Sequence, residues 1–199
     1  SADTITQAEM SPHLEGFKAR GIEVLYLTDP VDEFWLPLVP EFEGKTFASI
    51  TKGGVDIDKF EAADDAKQDE AAPDVEALVA AMKEALGDSV ADIRISKTLT
   101  DSPACLVADE GGMDIQMQRL MKAHDPNFQD QPRILEVNPR HDLVQSLNQL
   151  VAKGTEADVV NDASFMMFEQ SLILEGKPPK DVAAFSQRMT RLMTRGLKL

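Results

Sequence analysis

From Pro73 to the end of the chain, apolar residues fall into short runs alternating with stripes of 3.6-residue period, the pattern of mixed strands and helices. Val75, Leu78, Val79, Met82 and Leu86 share one face of a helix that stops at Gly87. Apolar runs at 90–96 and 104–108 predict two strands, joined by a polar connection through Thr100, Asp101 and Ser102. Met113, Met117, Leu120 and Met121 recur at helical spacing after Gly111-Gly112, and that helix breaks before Pro126. A third strand at 134–137 runs into Asn138-Pro139, read as an N-cap with proline at the first helical position. The helix it opens carries Leu143, Val144, Leu147, Leu150 and Val151 and ends at Gly154.

Two more helices follow, at roughly 157–175 and 181–196, separated by Gly176 and Pro178-Pro179. The first is apolar nearly all round, with Val160, Ala163, Phe165, Met166, Phe168, Leu172 and Ile173 among its positions, so it needs cover on more than one side. The second has a cleaner stripe of Val182, Phe185, Met189, Leu192 and Met193, with Arg188, Arg191 and Arg195 on another face. The short unit ahead of them covers only part of this surface. A second copy is the economical cover, because two such helices per chain make a four-helix bundle across a twofold axis. Phe165, Phe168, Leu172, Phe185, Met189, Leu192 and Met193 are the candidate dimer-interface residues. The alternative is an intrachain hairpin packed on its own sheet.

Ahead of Pro73 the texture differs. Ser11-Pro12 caps a short helix, and Ile22, Val24, Leu25, Tyr26 and Leu27 read as a buried strand whose neighbours lie upstream. Asp29-Pro30 opens a second helix, with Val31, Phe34, Trp35 and Leu38 on one face. From Gly53 to Asp74 acids accumulate and large apolar groups thin out, which marks a boundary and a mobile acidic linker over 54–72. The expected division is a partial α/β segment at 1–53, the linker, and a C-terminal unit at 73–199. The fold class is α+β, a small mixed sheet with helices ending in a helical dimerisation hairpin.

Net charge is −15, from 20 basic and 35 acidic residues, which excludes nucleic acid or an anionic membrane as the main partner. No apolar run approaches a membrane span, and a cytoplasmic protein is expected. The single cysteine, Cys105, lies in an apolar strand and reads as a buried structural thiol rather than a nucleophile paired with His124 or His141. His13, His124 and His141 lack metal-ligand spacing, and the paired glycines lack the longer pattern and lysine of a phosphate loop. No catalytic residue, metal or cofactor is assigned to this chain. It opens on Ser1, as an excised fragment would.

The order of several motifs resembles the heat-shock protein 90 chaperone family. Ser11-Pro12-His13-Leu14-Glu15, Gly21-Ile22-Glu23-Val24-Leu25 and Leu27-Thr28-Asp29-Pro30-Val31-Asp32-Glu33 look like the end of that family's middle domain, with Glu41-Phe42-Glu43-Gly44-Lys45 extending the match. Leu99 to Val107 resembles the first hairpin of its C-terminal domain, and Ile134-Leu135-Glu136-Val137-Asn138-Pro139 its next strand and turn. The resemblance implies an ATP-driven parent that clamps unfolded client proteins between two arms joined at this end. ATP and Mg would bind an N-terminal domain outside this chain. The ending Arg195-Gly196-Leu197-Lys198-Leu199 lacks the acidic tail of eukaryotic cytosolic members and favours a bacterial one. By period alone the Met113, Met117, Leu120 and Met121 stripe reads as core. The resemblance instead makes it an exposed client-facing helix, and it places Phe34 and Trp35 in a region of client contact, one of them packing within its own helix.

Overall fold

The structure is a computed structural model and describes residues 4–55, 57, 72–125 and 127–197. Most of the expected acidic linker lies outside the described residues. Helices α1 (Ile5–Glu9), α2 (Glu15–Ala19) and α3 (Asp32–Trp35) lead to a two-stranded hairpin, β1 (Glu41–Phe42) and β2 (Lys45–Thr46). Glu43 and Gly44 turn that hairpin with φ of 50° and 75°, a backbone that suits two-residue loops. Then come α4 (Glu76–Leu86), β3 (Asp92–Ile95), β4 (Ala104–Val107), α5 (Ile115–His124), β5 (Ile134–Val137), α6 (Asp142–Ala152), α7 (Ala157–Leu174) and α8 (Val182–Leu197).

The three long-range strands order as β3-β5-β4. β5 runs parallel to β3, with Ile93 opposite Leu135, and antiparallel to β4, with Leu106 opposite Leu135. The expected hairpin of the two earlier strands is therefore not formed, because β5 inserts between them. Side chains alternate across this sheet. Ala104, Leu106, Leu135, Val137 and Ile93 join Val75, Leu78, Met82, Val144, Leu147, Val160 and Met167 in the main core, so α4, α6 and α7 cover one face. Cys105, Val107 and Ile134 point the other way and form a second cluster with Leu99. Strands apolar on both faces must be covered on both.

The first segment covers the second face. Leu14 and Phe17 are buried, and Gly16 approaches so closely that a Cβ there would sit 2.4 Å from the Thr98 carbonyl oxygen. The Arg20 guanidinium donates to the Ile57 carbonyl at 2.8 Å. Residues 51–53 extend the sheet at the outer edge of β4. Gly53 N–H donates to Ala108 O at 2.8 Å, Ala108 N–H donates to Thr51 O at 3.0 Å, and Lys52 bridges Ala108 in parallel. An edge paired this way is closed to other chains.

Two expectations fail for local reasons. Residues 22–27 form no strand, because no described strand lies beside them to accept their hydrogen bonds, and Leu25 stays exposed. Asn138 does not cap the following helix. Its carboxamide donates to the carbonyls of Thr100 and Ser102, both at 3.2 Å, and accepts from Arg140 N–H. The helix begins at Asp142 instead, capped by His141 Nδ1, which accepts from Leu143 N–H at 3.1 Å.

The close approach at Gly16 predicts a steric penalty. Gly16→Ala should lower stability by about 1–3 kcal/mol. Gly111→Ala, where a Cβ meets nothing within 4 Å, should be near neutral. Urea unfolding midpoints of the two variants check this, and equal midpoints would mean the first segment is not seated on the sheet.

Candidate functional site

The first candidate surface is the α7–α8 hairpin. The two helices run antiparallel, and a ladder of arginines from α8 to acids at and just before α7 sets their register. Arg188 donates to both Glu169 oxygens at 3.0 and 3.2 Å, Arg191 grips Asp162 at 2.7 and 2.6 Å, and Arg195 pairs with Glu156. The Arg188 guanidinium also lies 4.1 Å from the centre of the Phe165 ring. The outer pairs, Arg191–Asp162 and Arg195–Glu156, are exposed on the arginine side and contribute little stability each, whereas Arg188–Glu169 is largely buried; together they decide alignment. Burial pushes the Glu169 carboxyl above its usual range, and Arg188 opposes that shift.

Holding α8 by its arginine edge leaves its apolar stripe uncovered. No residue of this 16-residue helix is buried. Val182 and Met193 are 61% and 60% exposed, Met189 is exposed, and Phe185 and Leu192 are half-buried, Leu192 packing against the main core. On α7, Phe165 and Leu172 are half-buried beside that core while Ile173 and Leu174 are exposed. Phe168 is buried within the chain's own core and leaves no surface to offer a partner. The candidate seam thus resolves into α8 and the C-terminal end of α7, with Phe168 beneath it. Val182, Met189 and Met193 on α8 and Ile173 and Leu174 on α7 are exposed apolar side chains of this hairpin.

The second candidate surface centres on α5. Only Ile115 and Gln118 of this helix are buried. Gln118 donates through Nε2 to Met113 O at 2.9 Å and accepts through Oε1 from Gln131 N–H at 3.2 Å, so an amide seats the helix together with Ile115. Met113, Met117 and Leu120 are half-buried and Met121 is exposed. Asp114 caps the helix, accepting from Gln116 N–H at 3.1 Å. Its second oxygen accepts from the hydroxyls of Ser49 at 2.6 Å and Thr51 at 2.9 Å. Burial opposes ionisation of Asp114, but the Ser49 hydroxyl, the Gln116 N–H and the Thr51 hydroxyl outweigh it and hold the carboxyl below its usual range.

The first segment contributes a third apolar group. Phe34 is 57% exposed, beside exposed Val31 and Leu38. Trp35 is half-buried, donating through Nε1 to Asp32 at 2.8 Å and meeting Phe47 edge to face at 6.2 Å between ring centres. One residue of the pair faces outward and the other packs locally. Phe34 and Trp35 stand on α3 and the methionine stripe on α5, so the two candidate client regions lie on separate elements.

Sequence reasoning missed Glu15, whose carboxylate accepts from the N–H groups of Thr100, Asp101 and Ser102 at 2.8–3.2 Å and from the Ser102 hydroxyl at 2.5 Å. Burial raises the Glu15 carboxyl, but the Ser102 hydroxyl and these backbone donors outweigh it and hold it below its ordinary value. Its partners lie more than eighty residues away, so no local pattern announces them.

Burial pushes the Cys105 thiol well up, with Glu136 and Glu15 adding to the shift, which is the opposite of an activated nucleophile. His141 Nδ1 is committed to its helix cap. Among the described residues no group of three or more His, Cys, Asp or Glu side chains is placed to hold a metal ion. No helix among them is long and apolar enough to cross a membrane.

The fold is thus an α+β unit, a mixed three-stranded sheet carrying a terminal helical hairpin whose outer apolar face the chain leaves uncovered. Comparison with known sequences supplies the family. The profile of the Hsp90 protein family matches residues 1–199, and the chain belongs to that family. It is 45% identical to "Chaperone protein HtpG" of Roseobacter denitrificans over 99% of this chain and 32% of that protein. It is likewise 45% identical to the proteins of the same name from Paramagnetospirillum magneticum and Mesorhizobium japonicum, each over 99% of this chain and about a third of the relative. The chain spans about a third of the length of these curated relatives.

His13 yields a pH prediction. Burial lowers its pKa from 6.5 to about 4, against the opposing pull of the Asp114 carboxylate. The folded chain keeps the ring neutral, whereas the unfolded chain takes up a proton near 6.5. The resulting stability is complete above pH 6.5 and is lost as pH falls toward 4. Titration of the His13 ring by NMR should show a midpoint near 4, with the urea midpoint falling between pH 7 and pH 5. A ring midpoint near 6.5 contradicts this burial.

Proposed function

We propose that this chain is the C-terminal part of a bacterial Hsp90-type molecular chaperone, which joins two copies through α7 and α8 and presents apolar side chains to unfolded proteins. The chaperone role comes from the relatives, which carry that word in their name. The observation that carries the dimer is α8, an amphipathic helix with no buried residue. A helix of this kind is stable only when its apolar face is covered. The arginine ladder already occupies its inner edge, so the stripe of Val182, Met189 and Met193 is left for a second chain. Around a twofold axis each patch meets a copy of itself or of its neighbour.

The client surface is α5, whose Met113, Met117, Leu120 and Met121 remain half-buried or exposed on a helix seated by Ile115 and Gln118. Methionine side chains are flexible and polarizable and fit variable apolar segments. Phe34 and Trp35 add to it from the first segment. In this reading residues 1–53 close the parent's middle domain, 54–72 lie between, and 73–199 are the dimerising domain. The parent works in the cytoplasm and hydrolyses ATP with Mg in a part of the protein outside this chain, while this third contributes no catalytic group.

Met193→Asp tests the seam without disturbing the chain's own core, because Met193 is exposed in the single chain. Each dimer would carry two unpaired carboxylates at the seam, and burying an unpartnered polar or charged group costs several kcal/mol. Sedimentation equilibrium at micromolar concentration should give a dimer for the native chain and a monomer for the variant, both with native helical signal. An unchanged dimer mass places the seam elsewhere.

Met117→Ser together with Leu120→Ser tests the client surface. Affinity for carboxymethylated α-lactalbumin, a permanently unfolded protein, should fall several-fold. The loss of stability should stay below the roughly 2–5 kcal/mol of a single fully buried truncation. A collapse of the melting temperature identifies α5 as core.

A further inference from the structure

We propose that Asp114 is a positioning residue through which the placement of the first segment is read by α5, so that docking of residues 49–51 sets how firmly the client-facing helix is held. This rests on the reading of α5 as a client surface. The buried residues of α5, Ile115 and Gln118, both lie in its first turn. One carboxylate serves that turn in two directions. Oδ1 accepts from Gln116 N–H and caps the helix, while Oδ2 accepts from the Ser49 and Thr51 hydroxyls of the first segment.

The hydroxyl donors cannot move independently of the rest of the first segment. Ser49 and Thr51 follow directly on β2 and on Phe47, the ring that packs against Trp35. On the other side, Thr51 O and Gly53 N–H are paired to Ala108 at the sheet edge. A displacement of the first segment therefore strips a partly buried carboxylate of two donors, and such a carboxylate must recover solvent or new partners. The nearest relief is to open the first turn of α5, whose further end is tied separately, through Lys122 to Asp130.

The second tie between the two parts is of a different kind. Glu15 grips the 100–102 loop, which also bonds Asn138 but does not touch α5's cap. Docking is thus held at Glu15, at the Ala108 edge and at Asp114, and of these Asp114 is the one that also caps α5. Coupling of this form is reciprocal. A protein bound along α5 that favours the capped helix also favours docking of residues 49–51.

The test uses the whole chain with Ser49→Ala and Thr51→Ala combined, and separately Asp114→Ser, whose hydroxyl still caps α5 but offers no second oxygen. Hydrogen exchange is followed over α5 and over α4 as an internal control. Both variants should speed exchange in α5 by about fivefold or more and leave α4 at the native rate. Single replacement of Ser49 guards against a general loss of fold and should give a smaller rise. Native exchange of α5 in the double variant overturns the proposal, as does equal acceleration of α4 and α5. Affinity for carboxymethylated α-lactalbumin, measured on the same proteins, tests the underlying reading. Faster α5 exchange with reduced affinity supports both. Faster exchange with native affinity supports the tie and removes α5 as the client surface.

Discussion

A three-stranded sheet whose strands β4 and β5 send apolar side chains to both faces is the constraint from which the rest follows. β4 is buried along its whole length, and β5 sends Leu135 and Val137 to one side and Ile134 to the other. A sheet this small cannot cover itself. α4, α6 and α7 bury one face, and the first segment, through Leu14, Phe17 and the close approach at Gly16, serves the other. The first segment is held there by polar contacts of good geometry, the four donors on Glu15 and the two hydroxyls on Asp114. These contacts choose the docked position. The apolar area supplies the driving force.

The same economy explains why the exposed apolar groups gather where they do. α7 is spent on the sheet along its inner face, so its outer face and α8 have nothing left within the chain to pack against. The arginine ladder on Glu169, Asp162 and Glu156 aligns α8 on α7 through polar contacts. It turns the stripe of Val182, Met189 and Met193 outward. α5 is left exposed for a related reason. Its inner positions are one isoleucine and one glutamine, too little apolar area to draw the whole helix into the core, so its methionines remain half in solvent.

The buried acids differ in how many donors offset their burial. Glu15 and Asp114 collect three or more hydrogen bonds and stay below their usual range despite burial. Glu136, with the Ser96 hydroxyl, and Glu169, with Arg188, collect fewer partners and are pushed up by burial, as is the Cys105 thiol. Ionised carboxylates at the joints suit contacts that form and break with the position of a segment, because water can replace the donors when the joint opens.

What local pattern can specify was present in the chain itself. The stripe of Val75, Leu78, Met82 and Leu86 makes an amphipathic helix whatever it packs on, and the arginine and methionine faces of α8 separate at helical period without any knowledge of a partner. The motifs that mark the Hsp90 family are likewise linear. The tertiary structure alone decided the features that depend on distant partners. The apolar run at 22–27 has strand character but forms no strand, because a strand exists only when a neighbour takes its hydrogen bonds. β5 enters between β3 and β4 because strand order depends on how the chain crosses over, which apolar alternation does not encode. Asn138 has the form of a helix cap and holds the 100–102 loop instead, because two carbonyls brought there by the fold compete for its amide. Glu15 looks like one acid among thirty-five, and only the fold brings four donors to it. Hydrophobic period is a property of neighbours in sequence, whereas pairing, docking and the partners of a carboxylate are properties of neighbours in space.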